Sequence, residues 1–180
     1  MRLEKKDTIG LMIDIQERLL PVMYNKETLL KNCLILIRGL KTLGIPLMVT
    51  QQYTQGLGKT TDTLAGEIPE FTPIEKRDFS CCDEPAVLLG LEKHRAQNII
   101  IFGIESHVCV LQSAVDLKHD GYNPIVVMDC VSSRSEKDIE LAGERFRYEG
   151  IMTGSYESVL FELTRSSKAK EFKEISGLVR

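Results

Sequence analysis

At 180 residues, 43% of them apolar, the chain suits one folded domain that buries roughly 70% of the surface it exposes when unfolded, which excludes disorder and a disulfide-stapled miniprotein. A net charge of −3 provides no global positive field for a polyanion, so no nucleic acid partner is expected. Five cysteines (Cys33, Cys81, Cys82, Cys109, Cys130), an odd number without a CxxC pair, speak against a disulfide framework and a thiolate metal site.

The first ten residues lack an apolar leader-like run, and no later stretch approaches the ~20 apolar residues of a membrane span. The expectation is a cytoplasmic, reducing-compartment domain over residues 1–180 with no membrane partner.

The first apolar, β-branched run is Thr8–Ile13. Helical spacing follows at Leu30, Cys33, Leu34, Ile37 and Leu40, with Asn25 as the starting cap and Gly44 before Ile45-Pro46 as the stop. Residues 47–50 read as a second strand. Residues 51–71, with Gly56, Gly58 and Gly66, read as a long irregular connection and candidate binding loop. A short strand is expected at 74–77, and Pro85 opens a helix carrying Val87, Leu88 and Leu91.

Residues 98–102 form the next apolar run, followed by a helix over about 107–120 with Ser106 as N-cap and Gly121 as stop. Then come a strand at 124–128, a helix over about 135–149, a short strand at 151–153, and closing segments at 156–163 and 169–179. Continuous apolar strands alternating with helices predict βαβ units with right-handed crossovers, hence a three-layer α/β/α sandwich around a mostly parallel, Rossmann-like sheet.

Ligand crevices in such sheets lie beyond the carboxyl ends of the strands. The first strand delivers Asp14 there, the third Lys76, and the 98–102 strand runs into Gly103-Ile104-Glu105-Ser106-His107-Val108-Cys109. A thiol near a helix N-terminus, beside an ammonium, is expected to have a lowered pKa. Asp14 is suited to take its proton and return it to a leaving amine, while helix N-terminal N–H groups receive an oxyanion. Each residue alone also has an ordinary reading: a small buried thiol, a turn-capping carboxylate and a solvated lysine.

At these residues the sequence resembles the isochorismatase-like cysteine hydrolases over nearly its whole length. The matching parts are Asp14-Ile15-Gln16, Lys76 before Phe79-Ser80, Gly103 to Val110, and Asp129-Cys130-Val131-Ser132-Ser133-Arg134-Ser135. Within that superfamily it is most similar to the isochorismatase-domain-containing proteins of unassigned substrate, through Gln52-Tyr53-Thr54-Gln55-Gly56-Leu57-Gly58 and Phe172-Lys173-Glu174-Ile175. The resemblance implies six strands in the order 3-2-1-4-5-6 and a catalytic triad of Asp14, Lys76 and Cys109. It also implies a cis peptide between Ile104 and Glu105, and an oxyanion hole from the Glu105 and Cys109 N–H groups.

By the same analogy Gln16 and Phe79 line a substrate pocket, and Gln52 and Tyr53 shape its specificity. A homo-oligomer, dimer or tetramer, is implied as well. The loop after the second strand lacks the Asp and His ligands of the metal-dependent nicotinamidases, so no metal and no cofactor are expected. Cys109 favours acyl chemistry over the vinyl-ether hydrolysis of isochorismatases, which remains an alternative, as does a non-catalytic binding or regulatory member. A nucleotide-binding domain is disfavoured because Asp14-Ile15-Gln16-Glu17 stands where a GxGxxG would be.

His107 invites a Cys–His dyad with Cys109, although helix residues two apart point to different faces. Arg134 is expected to tie loops together through backbone carbonyls. Cys81 and Cys82 are expected near the pocket entrance. The apolar end of 169–180 is read either as closing the domain's own core or as docking on a neighbouring subunit.

Overall fold

The computed structural model describes residues 2–180. Its strands are β1 (Thr8–Ile13), β2 (Leu47–Gln52), β3 (Ile74–Lys76), β4 (Asn98–Ile104), β5 (Asn123–Ser132) and β6 (Met152–Gly154). They form one six-stranded sheet in the order β3-β2-β1-β4-β5-β6, parallel throughout. The helices are α1 (Lys26–Thr42), α2 (Thr54–Leu57), α3 (Asp62–Ala65), α4 (Pro85–Lys93), α5 (Leu111–His119), α6 (Glu136–Tyr148), α7 (Tyr156–Thr164) and α8 (Phe172–Leu178).

The strand period of two divides the core. Met12, Ile100, Phe102 and Ile104 face α1, α7 and α8, with Leu36, Leu40, Leu160 and Ile175 packed against them. Ile9, Leu11, Ile13, Ile99 and Ile101 face α4, α5 and α6, meeting Val87, Leu91, Leu117 and Phe146. Both faces of β1 and β4 are buried, which is why their sequences read as unbroken apolar runs.

Local chemistry sets the element ends. Gly44 adopts φ +71 after α1, and the Ile45 N–H reaches back to the Leu40 carbonyl at 2.9 Å, a left-handed glycine cap. The expected cap at Asn25 is not made: Asn25 is itself left-handed, and its Oδ1 accepts from Thr28 Oγ1 at 2.8 Å. Nor does Ser106 cap a helix. Residues Ser106–Val110 form a π-helical turn leading into α5, and the Ser106 hydroxyl meets Ser133 Oγ at 2.5 Å.

The stretch 51–71 is more ordered than expected. It contains the end of β2, the short helices α2 and α3, and an antiparallel bridge between Gln16 and Thr60. Single-turn helices are too short to show a period. At the C-terminus, Ile175 is fully buried, and Leu178 and Val179 pack on the same cluster as α1 and α7. That apolar face packs on the chain's own core.

The chain reverses its direction of winding between β1 and β4, so a crevice opens at their carboxyl ends. Gly103 pairs with Ile13 across this seam. It sits at φ +125, and a Cβ there would overlap the Ile13 carbonyl. Only glycine permits the two strands to approach where Asp14 and the Cys109 turn depart. Gly103→Ala is therefore expected to lower unfolding stability by about 3 kcal/mol, read as an earlier urea midpoint; an unchanged midpoint would contradict this packing.

Candidate active site

Asp14, the residue after β1, adopts φ +53 and is fully buried. One carboxylate oxygen, Oδ1, accepts from Thr50 Oγ1 at 2.7 Å. The other, Oδ2, lies 2.8 Å from the Lys76 ammonium, and neither side chain is exposed. Oδ2 has no hydrogen bond of good angular geometry among the described residues, so the Lys76 contact is an ion pair that leaves this oxygen with acceptor capacity.

Lys76 ends β3 and reaches under β2. Its Nζ donates to Gln52 Oε1 at 2.6 Å, to the Asp78 carbonyl at 3.2 Å and to the Phe79 carbonyl at 3.1 Å. Burial pulls the lysine's pKa down, but the charges of Asp14 and the nearby thiols outweigh it, leaving the value above its ordinary 10.5.

Cys109 sits in the π-helical turn after β4 and is 7% exposed. Burial pushes its thiol up to about 12; the Asp14 carboxylate adds to the rise by charge, and Lys76 opposes it. The expected lowering by the helix end is thus reversed. Desolvation of the thiolate and a full carboxylate charge exceed the helix's partial charge and the half-engaged ammonium. In the resting site the proton stays on sulfur.

Other expected site residues are placed as follows. Gln16 is fully buried; its Nε2 donates to the Gln52 and Gly58 carbonyls at 2.9 and 2.7 Å, and its Oε1 accepts from the Gln52 N–H at 2.8 Å. Gln52 Nε2 donates to the Arg77 carbonyl at 2.5 Å. Both amides are held by the scaffold. Phe79 is 54% exposed and Tyr53 38%, with the Arg77 guanidinium 4.0 Å from the Tyr53 ring centre; both stand at the rim.

The Ile104–Glu105 peptide is cis. Arg134 Nε meets the Glu105 carboxylate at 3.3 Å, not backbone carbonyls. His107 Nδ1 meets Ser133 Oγ at 2.8 Å, which spends it on the neighbouring loop instead of on Cys109. Cys81 is fully buried behind the site, its N–H donating to Ser113 Oγ at 2.8 Å. Ser113 Oγ in turn donates to the Cys109 carbonyl at 2.6 Å. Thr50 and Ser113 were missed by sequence reasoning. Thr50 shares a strand face with Gln52, a period-two signal that names a face without naming its partner. An apolar cavity of about 300 Å³, lined by Ile37, Leu40, Ile45 and Ile68, lies at the start of β2, away from this rim.

Residues 8–157 match the isochorismatase domain model. The chain belongs to the isochorismatase family. Isochorismatase domain-containing protein 2 of Danio rerio is 33% identical over 99% of this chain and 89% of its own length. Among solved structures, a Caenorhabditis elegans protein described as MAR1 ribonuclease is similar at 34% identity and TM-score 0.92, covering 99% of this chain and 92% of that one. The Escherichia coli YcaC gene product, described as an octameric hydrolase of unknown specificity, shares the fold at TM-score 0.93 and 22% identity, covering 99% and 90% of the two chains. The family and the fold are those of hydrolases. No helix among the described residues is long and apolar enough to cross a membrane.

Burial raises Cys81 to about 11 and Cys82 to about 12, as it raises Cys109 to about 12. Unfolded thiols ionise near 9 while these native ones hold their protons, so the unfolded state sheds protons first and stability falls as pH rises above 9. Lys76 acts in the same direction: its raised value gives stability that is complete below 10.5 and lost as pH climbs through the folded value. Urea unfolding is expected to show lower stability at pH 10.5 than at pH 8; equal or greater stability would contradict the assignment of buried, protonated thiols.

Proposed function

We propose that the chain is a cofactor-free cysteine hydrolase of small amide-type or related acyl substrates, working through Cys109, Asp14 and Lys76 as one hydrolase domain over residues 1–180. The observation that carries this reading is the fully buried ion pair of Asp14 Oδ2 with the Lys76 ammonium, 2.8 Å apart, whose two charges act in opposite directions on the nearby Cys109 thiol. A buried ion pair contributes little net stability compared with apolar residues of the same shape, and one near a thiol at the switch point has an evident chemical use.

As the thiol sulfur attacks the substrate carbonyl carbon, its proton passes to Asp14 Oδ2, and the carbonyl electron pair moves onto oxygen. The N–H groups of Glu105 and Cys109 receive that oxyanion, since helix-opening N–H groups lack intrahelical partners. Collapse expels the nitrogen, which takes the proton from Asp14, leaving a thioester. Water then attacks the thioester while Asp14 takes its proton, and the departing sulfur recovers that proton as the acid is released. Lys76, 2.8 Å from the carboxylate, balances its charge and favours the negative charge that the sulfur takes on when it leaves.

A nucleophile exposed by 7% suits a small acyl group better than a polymer backbone, and the net charge of −3 gives RNA no attraction. The ribonuclease description of the Caenorhabditis elegans relative makes RNA the control substrate. Assembly into a homo-oligomer belongs to the same proposal, supported by the octamer described for the Escherichia coli protein.

The test is a panel of small amides and activated esters, with RNA alongside, offered to the wild type, Cys109→Ala and Asp14→Asn. Hydrolysis of a member of the panel is expected from the wild type, with losses of about 10³-fold or more in both variants. Hydrolysis retained by Cys109→Ala, or cleavage of RNA alone, would overturn the reading.

A further inference from the structure

The Lys76 ammonium is more fully surrounded than a catalytic lysine needs. An ammonium carries three N–H bonds and no acceptor. Around Nζ stand four oxygens: Asp14 Oδ2 at 2.8 Å, Gln52 Oε1 at 2.6 Å, the Asp78 carbonyl at 3.2 Å and the Phe79 carbonyl at 3.1 Å. No proton is left over for a substrate. The shortest of these contacts comes from Gln52, whose own placement is over-determined. Its N–H and C=O are both held by the Gln16 amide, and its Nε2 is held by the Arg77 carbonyl. Because the ammonium can only donate, Gln52 must turn its carbonyl oxygen toward it.

We propose that Gln52 is a positioning residue that closes an oxygen cage around the Lys76 ammonium, making Lys76 a captive cation that serves Cys109 by its charge and not by giving up a proton. The proposal rests on the functional reading above, in which that charge supports the sulfur, and it adds the part that holds the charge in place. Gln16 belongs to the cage at one remove, since it fixes the Gln52 backbone. The Asp78 and Phe79 carbonyls complete it from the turn after β3.

The cage predicts that a free ammonium of the right size can replace the side chain. Lys76→Ala removes the ammonium and its methylene stem, and small amines can enter the space. The readout is the rate at which iodoacetamide alkylates Cys109 at pH 8, followed by peptide mass, which needs no knowledge of the natural substrate. Lys76→Ala is expected to slow alkylation about tenfold, because loss of the nearby cation makes the thiol harder to ionise. Ethylammonium should restore most of that loss, whereas tetramethylammonium, equally charged but without N–H donors, should restore none. In the Lys76→Ala/Gln52→Met double variant, ethylammonium should restore less than about twofold.

Equal rescue with methionine at position 52, or rescue by tetramethylammonium, would overturn the cage. Alkylation of Lys76→Ala at the wild-type rate would instead overturn the functional reading, because the lysine's charge would then not reach the sulfur. If Lys76→Ala does not fold, or no amine restores it, the single variant Gln52→Met decides. Alkylation about threefold or more slower than wild type, with folding intact, upholds the inference, and an unchanged rate rejects it.

Discussion

The buried pairing of Asp14 with Lys76 is the constraint around which the carboxyl-end rim is organised. Neither side chain is exposed, and the charges stand 2.8 Å apart. Removing two such ions from water costs several kcal/mol each, and their attraction offsets this only when the remaining protons and lone pairs are satisfied. Here Thr50 donates to one carboxylate oxygen, while Gln52 and two main-chain carbonyls accept from the ammonium. The pair therefore links β1, β2 and β3 at one point, and Gly103 brings β4 and its cysteine turn against it.

That arrangement also decides the state of the sulfur. A helix end and a lone ammonium would favour a standing thiolate, as in many reactive cysteines. In this site most of the ammonium's field is spent on Asp14, and the carboxylate's own charge works against a second anion nearby. The Cys109 thiol is thus held neutral beside the Asp14 carboxylate. In the proposed mechanism a neutral thiol delays charge separation until a carbonyl arrives to take the electrons.

The fold was largely legible because both faces of β1 and β4 are buried, which writes continuous apolar runs into the sequence. The alternation of those runs with capped helical segments then implied the layers. Asp14, Lys76 and Cys109 were legible as strand-end residues, and the family resemblance named them together. What could not be read was the state and the support of the site. The thiol's pKa depends on how deeply the turn is buried, which no spacing encodes. For Gln16 and Gln52, the sequence does not distinguish a polar residue that meets a ligand from one that holds a buried ammonium or its neighbour. Thr50 and Ser113 pass as ordinary strand and helix residues until the tertiary partners of their hydroxyls are known.

The central claim is that the Cys109 sulfur becomes covalently bonded to the acyl group during turnover. Its most direct test is acid quenching of the protein during reaction with an activated ester, followed by mass spectrometry of the intact chain and its peptides. The account predicts an acyl adduct on the peptide carrying Cys109, absent from Cys109→Ala and accumulating more slowly in Asp14→Asn. Turnover of the same ester with no adduct at Cys109 at any quench time, or with an adduct on another residue, would contradict it.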